Sequence, residues 1–337
     1  MKAKSLDTDW RWPLYAAALV CDAFIMQFGQ TERFSAWETT WAVLLDTALL
    51  CGLVVLLWSN ATAERAGRLW YGVSGAALLL SSACIFLDME QFYRFCIDTP
   101  LPEAITLAVL LLVAFYACDC GWSALSRATG LLLWLLAASA VLLWIANLDK
   151  LQVTNLQPAE PKAGNLLRAC VVYFRFPSAL LLFGVLPSKQ EGALPVKKMT
   201  WGLIGLAVVQ ISGAILSELV LGTGAQQYSQ TMYTLARLGG LSVFHRLDAI
   251  HLCVWLLAML MKCTILLCAA AQALYALKPA LSAGKRRGIL FVLLFIAIVA
   301  AAAMHSAVRQ AAVTSLSALA ACVLSVQGRT IWVKKEL

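Results

Sequence analysis

Ten apolar runs follow one another along this chain with only short polar breaks. They cover residues 12–28, 37–58, 69–86, 104–122, 128–147, 163–186, 198–221, 248–277, 288–304 and 311–327. Most are close to the roughly 20 residues a helix needs to cross a bilayer. In hydrocarbon every backbone N–H and C=O must be satisfied within the chain, so runs of this kind fold as helices. The expected fold is an all-α polytopic membrane protein, one transmembrane domain over residues 1–337 with ten transmembrane helices. Composition agrees: 13% of residues are charged and the mean hydropathy is +0.80, where a soluble domain carries about 25% charged residues. The polar stretch Met1 to Arg11 leads into an apolar run without a small-residue cleavage site, so that run reads as a retained first span.

Charge placement sets an expected orientation. Of the 26 Lys and Arg, 16 lie at the termini or in the breaks on their side. Seven lie in the opposite breaks (Arg33, Arg94, Lys150, Lys162, Arg237, Arg246 and Arg309), and Arg168, Arg175 and Lys262 fall inside runs. Basic loops stay in the cytoplasm, which places both termini there. Attraction of these loops to the anionic lipid bilayer accounts for the net charge of +8. No basic patch with a base-reading element accompanies it, so nucleic acid is not an expected partner.

The charges inside the runs carry the functional signal. In the eighth run Asp248, Trp255 and Lys262 are spaced by seven and share one helix face, drifting only about 20° per step. The two charges are then about 21 Å apart along the axis. A lone ammonium at membrane depth faces a bundle interior or a watery cavity, so this helix is expected to line a polar space. Arg246 precedes it, and Asp248 is placed to cap its first turn. Asp22, in the first run, belongs to the same candidate polar pathway, with Lys262, Arg175 or a cation as its partner. Asp46 is expected to make an interhelical hydrogen bond, and Glu218 to reach the headgroups.

Ten spans divide into five plus five, residues 1–147 and 163–327. The first and sixth runs carry polar breaks in corresponding places: Gln27-Phe28-Gly29-Gln30 in one, Tyr173-Phe174-Arg175-Phe176-Pro177-Ser178 in the other. Proline removes a backbone donor and kinks a helix. Paired interrupted helices mark midplane binding sites in transporters built from inverted repeats. Phe28, Gly29, Gln30, Tyr173, Phe174, Arg175, Phe176 and Ser178 are therefore the candidate ligand-binding residues, in a pocket between helices one, three, six and eight. The eleven cysteines are scattered without a CxxC pair and read as small packing residues. His245, Asp248 and His251 step by three but drift round the helix without a further ligand, so no metal and no cofactor are expected.

The segment from Tyr233 to Leu277 resembles a known family. Its Leu235-Ala236-Arg237 leader, Arg246-Leu247-Asp248, Trp255, Lys262 and Ala-rich end are similar to the B-subunit of bacterial spore germinant receptors, a permease-like branch of the amino acid–polyamine–organocation superfamily. Further matches are Thr99-Pro100 leading to Phe115-Tyr116-Ala117, Asn155-Leu156-Gln157-Pro158, Phe176-Pro177 in the sixth helix, Leu186-Pro187, and Ala36-Trp37. The chain departs from the pattern in the first helix, where Gly29 stands alone without a Pro-Gly. It departs again after Phe176-Pro177, where Ser178-Ala179-Leu180 replaces a carboxylate and Arg175 is an addition.

The resemblance implies a LeuT-like fold with a 5+5 inverted repeat and interrupted helices 1 and 6. It implies a place in the spore inner membrane beside A- and C-type subunits. It also implies binding of a small germinant such as an amino acid, with release of ions, a monovalent cation among them, as the outcome, and no covalent chemistry. Two other readings share the fold: a secondary amino-acid or ion transporter, and a scaffold subunit that binds no ligand. A membrane-embedded enzyme would need a nucleophile–base or metal constellation, and the sequence offers none.

Overall fold

The computed structural model describes residues 11–25, 34–59, 67–96, 102–156, 163–186, 194–228, 230–240 and 247–335. Among these the chain is helical, without strands. The helices are α1 (Arg11–Ile25), α2 (Ala36–Trp58), α3 (Arg68–Cys96), α4 (Glu103–Asp119), α5 (Trp122–Ile145), α6 (Ala163–Tyr173), α7 (Leu182–Val185), α8 (Val196–Leu221), α9 (Thr231–Leu238), α10 (Asp248–Leu277), α11 (Ala283–Ala302) and α12 (Ser306–Lys335).

Each of the ten apolar runs contains helix among the described residues. Among the described residues six helices are long and apolar enough to cross a membrane: α2, α3, α5, α8, α10 and the Ser306–Gln327 part of α12. The bent pair around α6 and α7 makes a seventh if it is one span. The protein is thus an integral, multi-pass membrane protein. α1 and α4 are shorter, at 15 and 17 residues, and α11 carries Lys285, Arg286 and Arg287 in its opening turns. Two features depart from expectation. α3 continues to Cys96, well past the end of its apolar run at 86, and the short helix α9 lies between α8 and α10.

α10 and α3 form the centre. They pack along each other, and α11 and α12 pack on the other sides of α3. Small residues let the two backbones approach: Ser74, Ala77, Ser81 and Ser82 on α3, and Ala258, Cys263, Ala269 and Ala273 on α10 are all buried. A side chain at Gly75 would meet Ala273 Cβ at 3.4 Å. Without a hydrophobic force between helices in lipid, such close packing is the main source of cohesion. The hydroxyls of Ser74 and Ser82 are satisfied locally, donating to Trp70 O and Leu78 O at 2.7 and 2.9 Å. At the periphery large apolar side chains point outward, among them Leu131, Trp134 and Val171. In a water-soluble protein that surface would aggregate; here it is the lipid face.

Local capping ties α2 to α8. Ser35 Oγ accepts from Glu38 N at 3.2 Å, and Ser35 N donates to Glu38 Oε2 at 3.1 Å, a reciprocal capping box. Ala36 N donates to Glu218 of α8. Glu218, expected to reach the headgroups, thus holds the start of a neighbouring helix. Asp248 also differs from expectation. It is the first helical residue of α10, and Leu247 occupies the cap position. Its charge still favours the positive end of the helix dipole. Two of the eleven cysteines are more than packing residues: α4 lies along α10, and Cys118 and Cys268 form a disulfide across 5.6 Å between Cα atoms.

α1 packs against α8 through Gly202. A Cβ there would run into the Tyr15 ring and come within 2.9 Å of Leu19 Cδ1. Tyr15 cannot easily yield, because it is fully buried, donates to Met199 O at 2.8 Å and lies 4.8 Å from the Phe183 ring. Gly202→Ala should therefore force the two helices apart and cost roughly 1–3 kcal/mol, as over-packed cores do. A purified Gly202→Ala protein that melts with the wild type would show that Tyr15 relaxes freely.

Candidate functional site

The sixth run does break. α6 ends at Tyr173, residues 174–177 leave the helix, and a 3₁₀ turn over Ser178–Leu181 leads into α7. The two halves meet at 42°. The cause is local: Pro177 has no amide proton to donate and sits in extended backbone, φ −66° and ψ 124°. Behind the break lies a cavity of about 80 Å³, several times the roughly 10–15 Å³ that one water requires. Its walls come from α1, α3, the break, α10 and α12.

Lys262 enters this cavity from the midpoint of α10, and its side chain is 1% exposed. It forms an ion pair with Asp22 of α1. Of the partners open to Asp22, the geometry brings Lys262. From α3, Asp88 faces Arg309 of α12 at 4.0 Å. Arg175, at the break, donates through Nη2 to Gln310 Oε1 of α12 at 2.7 Å. Ser178 shares a hydrogen bond with Ser81 of α3, Oγ to Oγ 2.9 Å, which ties the restart of the broken helix to the central pair. Two polar atoms in this shell are buried without a hydrogen-bond partner among the described residues: Asp22 Oδ2 and Arg175 Nε. One is an acceptor and the other a donor, and buried groups of either kind are normally satisfied. Together they present complementary positions for a small polar ligand or for water.

Of the residues singled out in the sequence, Asp22, Arg175, Phe176, Ser178 and Lys262 line the cavity. Tyr173 turns away and shares a hydrogen bond with Thr39 of α2 at 3.2 Å. Phe174 packs against the core without lining the space. Trp255 is buried against Phe92 of α3, ring centroids 3.9 Å apart, and Asp248 is buried at the start of α10. The shared face of Asp248, Trp255 and Lys262 is thus mostly a packing face, with Lys262 alone reaching the cavity. Asp46 is buried, and its Oδ2 has no partner among the described residues, so the expected interhelical bond is not seen at that oxygen. Phe28, Gly29, Gln30 and Arg246 lie outside the described residues.

Sequence reasoning missed Asp88, Gln91, Arg309 and Gln310, and with them α12 as a wall. Arg309, which the charge pattern places in a break between runs, is 7% exposed within α12. A signal was present. Ser81, Cys84, Ile85, Asp88 and Gln91 recur at three and four residues, as do Ser306, Arg309, Gln310, Val313 and Thr314. That period puts each set on one helix face, and both sets line the cavity.

Comparison with known proteins gives one family. A search of curated proteins finds no match. Among solved structures the chain is similar to a manganese transporter of Eremococcus coleocola, crystallised in complex with an aromatic bis-isothiourea substituted compound. The TM-score is 0.47 at 11% identity, over 95% of this chain and 76% of that one. The model of the spore germination protein family matches residues 77–309, a stretch that runs from the Ser81 face of α3 through the broken helix and all of α10 to Arg309. On that match, which covers more than half of its length, the chain belongs to the spore germination protein family.

Proposed function

We propose that this permease-like membrane protein is the ligand-sensing membrane subunit, of B type, in a spore germinant receptor. The ligand is a small carboxylate-bearing germinant held in the cavity between α1, α3, the α6–α7 break, α10 and α12. The observation that carries this reading is the pair of unpartnered buried atoms, Asp22 Oδ2 and Arg175 Nε, in a polar cavity at a broken helix. A purely structural kink would gain nothing from a guanidinium and two ion pairs behind it, since intramembrane charges are expensive and are kept where they act. Broken helices at corresponding places in two halves are how transporters build such sites. The break in the sixth run is one of the two that the 5+5 arrangement of ten spans, residues 1–147 against 163–327, calls for; Phe28, Gly29 and Gln30 are the proposed matching half of the site.

In this reading the cavity works by population shift. A ligand that bridges Arg175 on the α6–α7 break to Asp22 on α1 favours the arrangement in which those elements are close. It can move the equilibrium only by its differential affinity for the two states. A- and C-type subunits would read that shift and release ions, a monovalent cation among them. The excess of basic loops supports cytoplasmic termini; moving Arg309 into α12 leaves that excess intact. The spore inner membrane is the corresponding location.

The test is paired binding and uptake of labelled small carboxylates and amino acids in proteoliposomes holding this subunit alone. Saturable binding without accumulation is the expected result. Accumulation driven by an ion gradient would make the chain a secondary transporter. Neither signal, with the partner subunits also present, would leave a scaffold.

A further inference from the structure

The charges around the cavity do not balance. Among the described residues three cations and two carboxylates line it. Asp22 is taken by Lys262, and Asp88 faces Arg309 at 4.0 Å. Arg175 is left with a neutral partner, Gln310, and its Nε–H has no acceptor among the described residues. Asp22 and Asp88 reach Arg175 only through space and are shared with Lys262 and Arg309, and a buried guanidinium without a directly paired carboxylate is costly. Its planar fork matches a carboxylate in two hydrogen bonds.

We propose that the cavity selects a small monoanion, a carboxylate carrying one neutral donor such as a hydroxyl, over a zwitterionic amino acid of the same size. The inference rests on the reading of this cavity as the ligand site and names the class of ligand it takes. A zwitterion brings an ammonium together with its carboxylate, so the excess positive charge stays where it was. The two carboxylates that could receive the ammonium already face Lys262 and Arg309. Among the described residues that line the cavity, Asp22 Oδ2 is the buried side-chain acceptor left without a hydrogen-bond partner, and a neutral hydroxyl satisfies it without adding charge. Gln310 sets this preference: a carboxylate in its place would neutralise Arg175 from within the protein.

Three labelled acids with the same three-carbon skeleton separate the possibilities: lactate with a hydroxyl at C2, alanine with an ammonium, and propionate with neither. Equilibrium binding is measured on the full-length subunit in nanodiscs, wild type and Gln310→Glu. Lactate should bind wild type more tightly than propionate, and more tightly than alanine by about tenfold or more, the span of one charge-assisted contact. Gln310→Glu should remove or invert the preference of lactate over alanine. Alanine binding equal to or tighter than lactate overturns the charge selection and leaves the ligand-site reading standing. Binding of none of the three removes both. A folded Gln310→Glu protein with the wild-type ranking overturns the assignment to Arg175. If that variant fails to fold, the wild-type ranking decides.

Discussion

A Lys262→Met protein should melt well below the wild type, and adding Asp22→Asn should recover more than half of the loss. Lys262 is 1% exposed and Asp22 18%, so removing the ammonium leaves a mostly buried carboxylate without its counter-charge. Breaking a buried pair from one side costs about 3–5 kcal/mol, while replacing both partners by neutral groups is often nearly free. The partial exposure of Asp22 and the water the cavity can hold place the expected cost toward the lower end. Asp22 Oδ2 already lacks a hydrogen-bond partner among the described residues, and Arg175, whose charge reaches Asp22 only through space, can make up only part of the loss. Thermal melting of wild type, both single variants and the double variant forms a complete cycle. A Lys262→Met protein as stable as wild type would reduce the lysine to a tolerated charge. A double variant no better than the single would show that the lysine stem, and not the pair, is what α10 needs. Under the proposed receptor function the same single variant should lose the germination response or the complex itself.

The parts of this protein that show in its sequence are those where hydropathy and chemistry coincide. The apolar runs mark the helices because hydrocarbon leaves the backbone no other arrangement. Lys262 stands out because the other charge in its run, Asp248, lies at the opening end and leaves the middle apolar, and the break at Pro177 because proline cannot donate. The rest is hidden where polar residues belong to a helix that outlasts its apolar run. Residues 87–96 mix Asp88, Glu90 and Arg94 with aromatic side chains and read as the way out of the membrane. In the structure they continue α3, with Glu90 and Arg94 paired one turn apart and Asp88 turned toward Arg309. The partners Asp88 and Arg309 stand at opposite ends of the family match, and only the packing of α12 on α3 joins them. Trp255 misleads in the other direction. Its spacing to Lys262 is that of a shared face, but its neighbour is the Phe92 ring, and a tryptophan with such a neighbour is core. Glu218 shows the same limit: its position near the end of a run suggests headgroups, and the start of α2 takes it instead.

Arg175→Ala should weaken binding of a small carboxylate by about tenfold or more, the equivalent of the roughly 1.5–3 kcal/mol carried by a charge-assisted hydrogen bond. The argument runs through the break. Residues 174–177 are out of the helix, so the arginine is placed by the break and by Gln310 at 2.7 Å. That contact holds one end of the guanidinium and leaves Nε–H directed at nothing among the described residues, a donor already oriented before a ligand arrives. Preorientation matters because little side-chain freedom is then lost on binding. Alanine removes the donor and the charge together but keeps Pro177, so the break and the fold should persist. Arg175→Lys separates the two contributions: it retains the charge and loses the planar fork, and it should recover only part of the affinity. Isothermal titration of the purified variants with the tightest-binding acid gives both numbers. Unchanged affinity in Arg175→Ala would sink the pocket assignment, whereas full recovery in Arg175→Lys would show that charge alone, without geometry, holds the ligand.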